Sequence, residues 1–107
     1  MIFSEEKYRF MFAALQEAER ALDEFEVPVG AVVVKNNKII GRGYNQIEKL
    51  KDATAHSEMI ALTAAANYIG NWRLNNCSIY VTLEPCIMCT GAMLASRINE
   101  LYFAAFD

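Results

Sequence analysis

The chain lacks any apolar run near the ~20 residues that a membrane-spanning helix requires. Its first ten residues, MIFSEEKYRF, carry early acids and no basic stretch ahead of an apolar segment, which is not the form of a secretory signal. The cytoplasm is then the default setting. Internal repeats, low-complexity tracts and linkers are missing, and there are only 2 prolines and 5 glycines. Positive charge is also short. The 10 Lys and Arg face 13 Asp and Glu, for a net charge of −3 and a pI near 5.1. That balance is unlike the basic footprint expected of a nucleic-acid binder. With 3 cysteines, an odd number, a fully paired disulfide framework is excluded. Histidine occurs once, at position 56.

What is present is enough apolar material for a real core. Hydrophobic residues make up 54% of 107 positions, and mean hydropathy is +0.12. That length supports one domain, residues 1–107. Helical spacing of Tyr8, Met11, Phe12, Leu15, Ala18 and Leu22 predicts a core-facing helix over 4–23, with Ser4 as N-cap. Two β-branched runs, 29–35 and 38–44, flank Asn36-Asn37 and predict a tight hairpin, because Asn tolerates positive φ. A polar loop, 45–52, follows. Residues 55–69 are Ala-rich and helical, with Gly70 at the C′ position. Residues 77–83 form a third strand. Pro85 stands at a helix's first position, with the helix running over 86–96, and 100–106 form a fourth strand. The order α-β-β-α-β-α-β predicts an α/β fold, with a mixed central sheet and helices on both faces.

Cys86-Ile87-Met88-Cys89 puts two thiols on one face of a helix's first turn, where the dipole favours thiolates. In a cytosolic chain this spacing points to metal or redox chemistry. A catalytic zinc takes three protein ligands and keeps one position for water, whose pKa falls towards ~7. The nitrogen ligand can only be His56. Glu58, two residues on, is the candidate for moving protons between water and substrate. Residues two apart on a helix face different ways, so both serve one site only at its N-terminal end. Three other readings of the cysteines stay open: a redox pair, a structural zinc with Cys77 as fourth ligand, and Cys77 as a small buried hydrophobe, which is preferred. Trp72 and Tyr44 could stack on a base, although packing is the preferred role for both.

His56-Ser57-Glu58 followed by Pro85-Cys86-Ile87-Met88-Cys89 matches the H-x-E…P-C-x-x-C signature of zinc deaminases. The chain resembles the cytidine and deoxycytidylate deaminase superfamily and, within it, the bacterial tRNA-specific adenosine deaminases. The resemblance covers Glu26-Val27-Pro28-Val29-Gly30-Ala31-Val32, Gly43-Tyr44-Asn45, Asp52-Ala53-Thr54-Ala55-His56-Ser57-Glu58 and Val81-Thr82-Leu83-Glu84-Pro85-Cys86-Ile87-Met88-Cys89-Thr90-Gly91-Ala92. The zinc motif is shared by all base deaminases. The Val-Pro-Val-Gly-Ala and Thr-Leu-Glu-Pro-Cys segments narrow the match, since guanine deaminases usually carry Pro-Phe-Gly-Ala and Ser-Cys-Glu-Pro-Cys there.

The resemblance implies a three-layer α/β/α domain that converts adenosine to inosine at the wobble position of a tRNA anticodon loop. It implies one zinc per chain, a homodimer, and Glu58 passing protons to the ring nitrogen and the departing ammonia. Asn45 corresponds to an asparagine that bonds the target nucleotide, with a turn residue as the alternative. Val27, Pro28 and Leu83 correspond to pocket walls. Ser57 stands where alanine is usual, and the chain stops after the fourth strand, where family members continue through a further strand and helices. A deaminase of free guanine or cytosine shares every catalytic residue, and a non-catalytic zinc-stabilised binding module is the remaining alternative.

Overall fold

The computed structural model describes residues 5–107, so the Ser4 cap lies outside the described residues. Its elements are α1 (Glu5–Asp23), β1 (Gly30–Lys35), β2 (Lys38–Tyr44), α2 (Ile47–Leu50), α3 (Ser57–Ile69), β3 (Ser78–Val81), α4 (Ile87–Ala95) and β4 (Glu100–Phe103). The strands lie in the order β2-β1-β3-β4. β1 pairs antiparallel with both β2 and β3, and β3 pairs parallel with β4, the pairing that the α4 crossover demands. The expected mixed sheet is therefore present. Asn36 and Asn37, at φ 52° and 60°, turn the hairpin in the left-handed region, as their short amide side chains allow.

Alternation along the strands sets the layers. Val32, Val34 and Tyr80 pack with Phe10, Met11, Ala13 and Ala14 of α1 on one face. Ala31, Val33, Ile79 and Val81 pack on the other with Ala61, Leu62 and Ala65 of α3 and with Cys89 and Met93 of α4. A period of two sends successive side chains to opposite sides, so one strand feeds both cores.

All four helices differ in some respect from the sequence expectation. The buried stripe of α1 is Phe10, Met11, Ala13, Ala14, Glu17, Ala18 and Ala21, while Phe12, Leu15 and Leu22 are exposed. Alanines face the sheet because α1 crosses β1 at Gly30, where an added Cβ would collide with the Ala14 carbonyl and the Ala18 amide. Large side chains would hold the helix away from that crossing. The 45–52 loop contains α2, whose Glu48 and Lys49 N–H groups donate to the buried Glu26 carboxylate at 3.1 and 2.8 Å. An acid some twenty residues away satisfies this helical turn, a contact no local pattern encodes. Helix α3 also begins two residues later than expected, at Ser57, and α4 one residue later, at Ile87, leaving His56 and Cys86 as N-caps.

Close approach fixes α3. A Cβ at Gly41 would lie 2.7 Å from the Ala65 amide, and one at Gly43 would lie 2.7 Å from the Ala61 amide and collide with the Ser57 carbonyl. Glycines at both positions let the helix lie directly on β2, and so place its N-terminal end beside the end of the sheet.

Candidate metal centre and active site

Helix N-termini leave N–H groups unpaired, and Ser, Thr, Asp or Asn usually caps them. Here the two caps are His56 (φ −73°, ψ 152°) and Cys86 (φ −74°, ψ 174°), and neither side chain bonds its own helix. They turn towards each other instead. His56 Nδ1 stands 3.7 Å from Cys86 Sγ and 3.6 Å from Cys89 Sγ. The ligand atoms of the three residues all lie within 4.8 Å of one another. A tetrahedral zinc with ordinary bond lengths would separate nitrogen from sulfur by about 3.6 Å, so the donor set fits zinc. The positive ends of α3 and α4 meet at the same place and favour thiolate there.

Burial pushes the Cys89 thiol well above its ordinary value, and the neighbouring Glu58 and Cys86 push it further. A divalent cation held by His56, Cys86 and Cys89 would reverse that preference by binding the thiolate. Cys77 lies outside the group. It is fully buried, its Sγ contacts the Asn75 carbonyl at 3.6 Å, and burial raises its pKa too. Its surroundings are those of a packing residue, and the three-donor group matches an open site better than a closed four-ligand one.

Glu58 is buried at the first turn of α3, and its Oε1 accepts a 2.7 Å hydrogen bond from Ser57 Oγ. Ser57 is itself fully buried, and its N–H donates to Asn45 Oδ1 at 2.8 Å. Asn45 thus satisfies the start of α3 from the end of β2, a role its sequence position does not announce. With that oxygen engaged, its amide group remains for the adjoining cavity. The cavity, of about 240 Å³, is lined by Val27, Val29, Asn45, His56, Glu58, Leu83, Glu84, Cys86 and Asp107. Of the predicted pocket residues, Val27, Asn45 and Leu83 are therefore present. Pro28 is exposed and does not line the cavity, and Val29 does. Val29 N–H donates back to the Val27 carbonyl at 2.8 Å, a tight turn with Pro28 at its exposed apex, so Val27 and Val29 stand at its two ends beside the cavity and Pro28 does not. Glu84 was not anticipated as a lining residue, although it sits within the quoted Thr-Leu-Glu-Pro-Cys segment. Tyr44 is buried and donates to Glu24 Oε2 at 2.8 Å, whereas Trp72 is half exposed against the Arg73 guanidinium.

The cytidine and deoxycytidylate deaminase zinc-binding region matches residues 4–105. The chloroplastic tRNA(adenine(34)) deaminase of Arabidopsis thaliana is 53% identical over 96 residues, which is 90% of this chain and 7% of that protein. The tRNA-specific adenosine deaminase of Aquifex aeolicus is 48% identical over 94% of this chain, and that of a Streptococcus pyogenes strain is 46% identical over the same share. The chain spans 67% and 64% of the length of those two relatives. In fold it is similar to a solved structure from work on A-to-I editing by tRNA:A34 deaminases at the wobble position of transfer RNA. The TM-score is 0.93 at 43% identity, over 95% of this chain and 78% of the other. It is also similar to a guanine deaminase from Bacillus subtilis, with a TM-score of 0.90 at 33% identity, over 97% and 66%. Sequence and fold together assign this chain to the cytidine and deoxycytidylate deaminase family.

Proposed function

We propose that this domain hydrolytically deaminates adenosine to inosine at the wobble position of a tRNA anticodon loop. One observation carries the proposal: His56, Cys86 and Glu58 open together into a cavity of about 240 Å³, on a chain 46–53% identical to tRNA adenosine deaminases. That volume is below the ~300–1,000 Å³ of pockets for drug-sized ligands, and suits one base splayed out of a loop. His56, Cys86 and Cys89 would hold the zinc, which when bound supplies Lewis acidity that makes water nucleophilic near neutral pH.

The chain's own residues do the rest. Glu58 takes the proton from the attacking water and delivers it to the purine ring nitrogen as the carbon–oxygen bond forms. The same carboxylate then carries the proton of the newly bound hydroxyl to the amino group, so that the carbonyl forms as the carbon–nitrogen bond breaks and ammonia leaves. Asn45 offers its amide to the nucleotide, Val27 and Leu83 flank the base, and the Ser57 hydroxyl holds the Glu58 carboxylate. Burial of Glu58 keeps bulk water from competing for its proton.

A homodimer and a cytoplasmic setting belong to the same proposal. Ile87 and Leu94, 91% and 72% exposed on α4, supply apolar surface for a second copy. No described helix is long and apolar enough to cross a membrane. Light scattering at micromolar protein tests the dimer, and a monomer would remove it. The activity is tested by a panel of anticodon stem-loop, free adenosine, guanine and cytosine. Inosine in the stem-loop is the expected product. Turnover of free guanine or cytosine with none on the stem-loop would replace tRNA with a free base as substrate.

A further inference from the structure

Phe25 breaks two local rules at once. Helix α1 ends in a Schellman motif, in which Glu26 N–H donates to the Ala21 carbonyl at 2.9 Å and Phe25 N–H to the Leu22 carbonyl at 3.1 Å. That pattern places residue 25 at C′, in the left-handed region, and its φ is 62°. Glycine is the usual occupant because a Cβ is strained there. A phenyl ring could offset the strain by packing, yet this side chain is 93% exposed. Neither backbone preference nor burial explains an aromatic here, and uncompensated strain gathers where a site needs a group held in place.

The surroundings hold the backbone at Phe25 in place. On one side the Glu24 carboxylate accepts from Tyr44 Oη at 2.8 Å and from Lys49 Nζ at 3.2 Å. On the other, the buried Glu26 carboxylate accepts the Glu48 and Lys49 amides. The backbone around Phe25 is thus tied to α2 on both sides, and two residues further on Val27 lines the active-site cavity. Asp23, Glu24, Glu26 and Glu48 outnumber the nearby cations, of which Lys49 is engaged by Glu24 and Arg20 by Glu17. A phosphate is not attracted to such a rim, whereas the neutral face of a base is.

We propose that Phe25 is a stacking platform for an unpaired nucleobase of the RNA substrate, adjacent to the base held in the cavity. This rests on the RNA deaminase reading above. Stacking is tolerant of base identity, so Phe25 contributes affinity for the splayed loop and not recognition of one base.

Phe25→Gly tests it, because the substitution relieves the strain and keeps the fold. The variant should melt a few degrees higher than the wild type. Its KM for an anticodon stem-loop at low salt should rise by about 5- to 100-fold, with kcat and the turnover of free adenosine unchanged. Phe25→Trp should restore the KM. An unchanged stem-loop KM in Phe25→Gly would overturn the platform while leaving the RNA reading intact, as would an equal loss on free adenosine. If the wild type neither binds nor deaminates the stem-loop, the RNA reading falls and the platform with it.

Discussion

At the residue scale, chemistry is carried by side chains that refuse their local duty. His56 and Cys86 occupy N-cap positions without capping, and so face the third donor, Cys89. The metal donors were legible because histidine occurs once and the cysteine spacing is specific to one face of a helix turn. The support around them was not. Ser57 donating to Glu58, and Asn45 accepting from Ser57, depend on which atoms a folded chain brings within 3 Å. Two substitutions separate the roles. Glu58→Ala should keep one zinc per chain in metal analysis and a near-normal melt, and lose about 10²–10⁴-fold in single-turnover rate. Near-normal deamination would remove Glu58 from the proton path. Cys77→Ala should also keep its zinc, while losing on the order of 1 kcal/mol of stability from the small cavity left in the core. Loss of metal in that variant would make Cys77 a ligand.

At the element scale, the decisive feature is how closely α3 lies on β2. The helix backbone leaves no room for a Cβ at Gly43, and the atoms in the way are the Ser57 carbonyl and the Ala61 amide. Backbone cannot swing aside as a long side chain can. Gly43→Ala should therefore cost about 1–3 kcal/mol in denaturant melts and weaken zinc binding, because the donor His56 is the N-cap of α3. Gly91→Ala is the control. It lies in α4 with nothing within 4 Å of the added Cβ, and should stabilise by about 0.5–1 kcal/mol. A Gly43→Ala protein with wild-type stability and zinc affinity would show that the contact yields more easily than its geometry indicates. Apart from α2, element type and order were readable from periodicity. The facing side of α1 was not, because alanine ranks low as an apolar signal but is what a helix needs where it crosses a strand closely.

At the scale of the whole molecule, a base-sized cavity sits in a chain of net charge −3. Few phosphate contacts are available to such a surface, and counterion release contributes little. Binding of an anticodon stem-loop should accordingly be weak, with log K falling against log salt on a slope shallower than about −2, as one or two phosphate contacts would give. A steep slope in a salt titration would reveal a basic face formed only in the complex. The three layers themselves follow from one strand pattern: β1 and β3 send alternate residues to the α1 core and to the α3–α4 core.

The sequence by itself determined the class of fold, the hairpin at Asn36-Asn37, the three metal donors and the acid two residues after the histidine. Each of these is a local signal, carried by spacing, by turn chemistry or by the scarcity of one residue type. Only the tertiary structure decided that Glu26 supports α2, that Asn45 closes the start of α3, that Val29 and not Pro28 walls the cavity, and that Phe25 stands strained in solvent. These are matters of which groups meet across distant segments, and of what a backbone gives up locally when both of its neighbours are tied elsewhere.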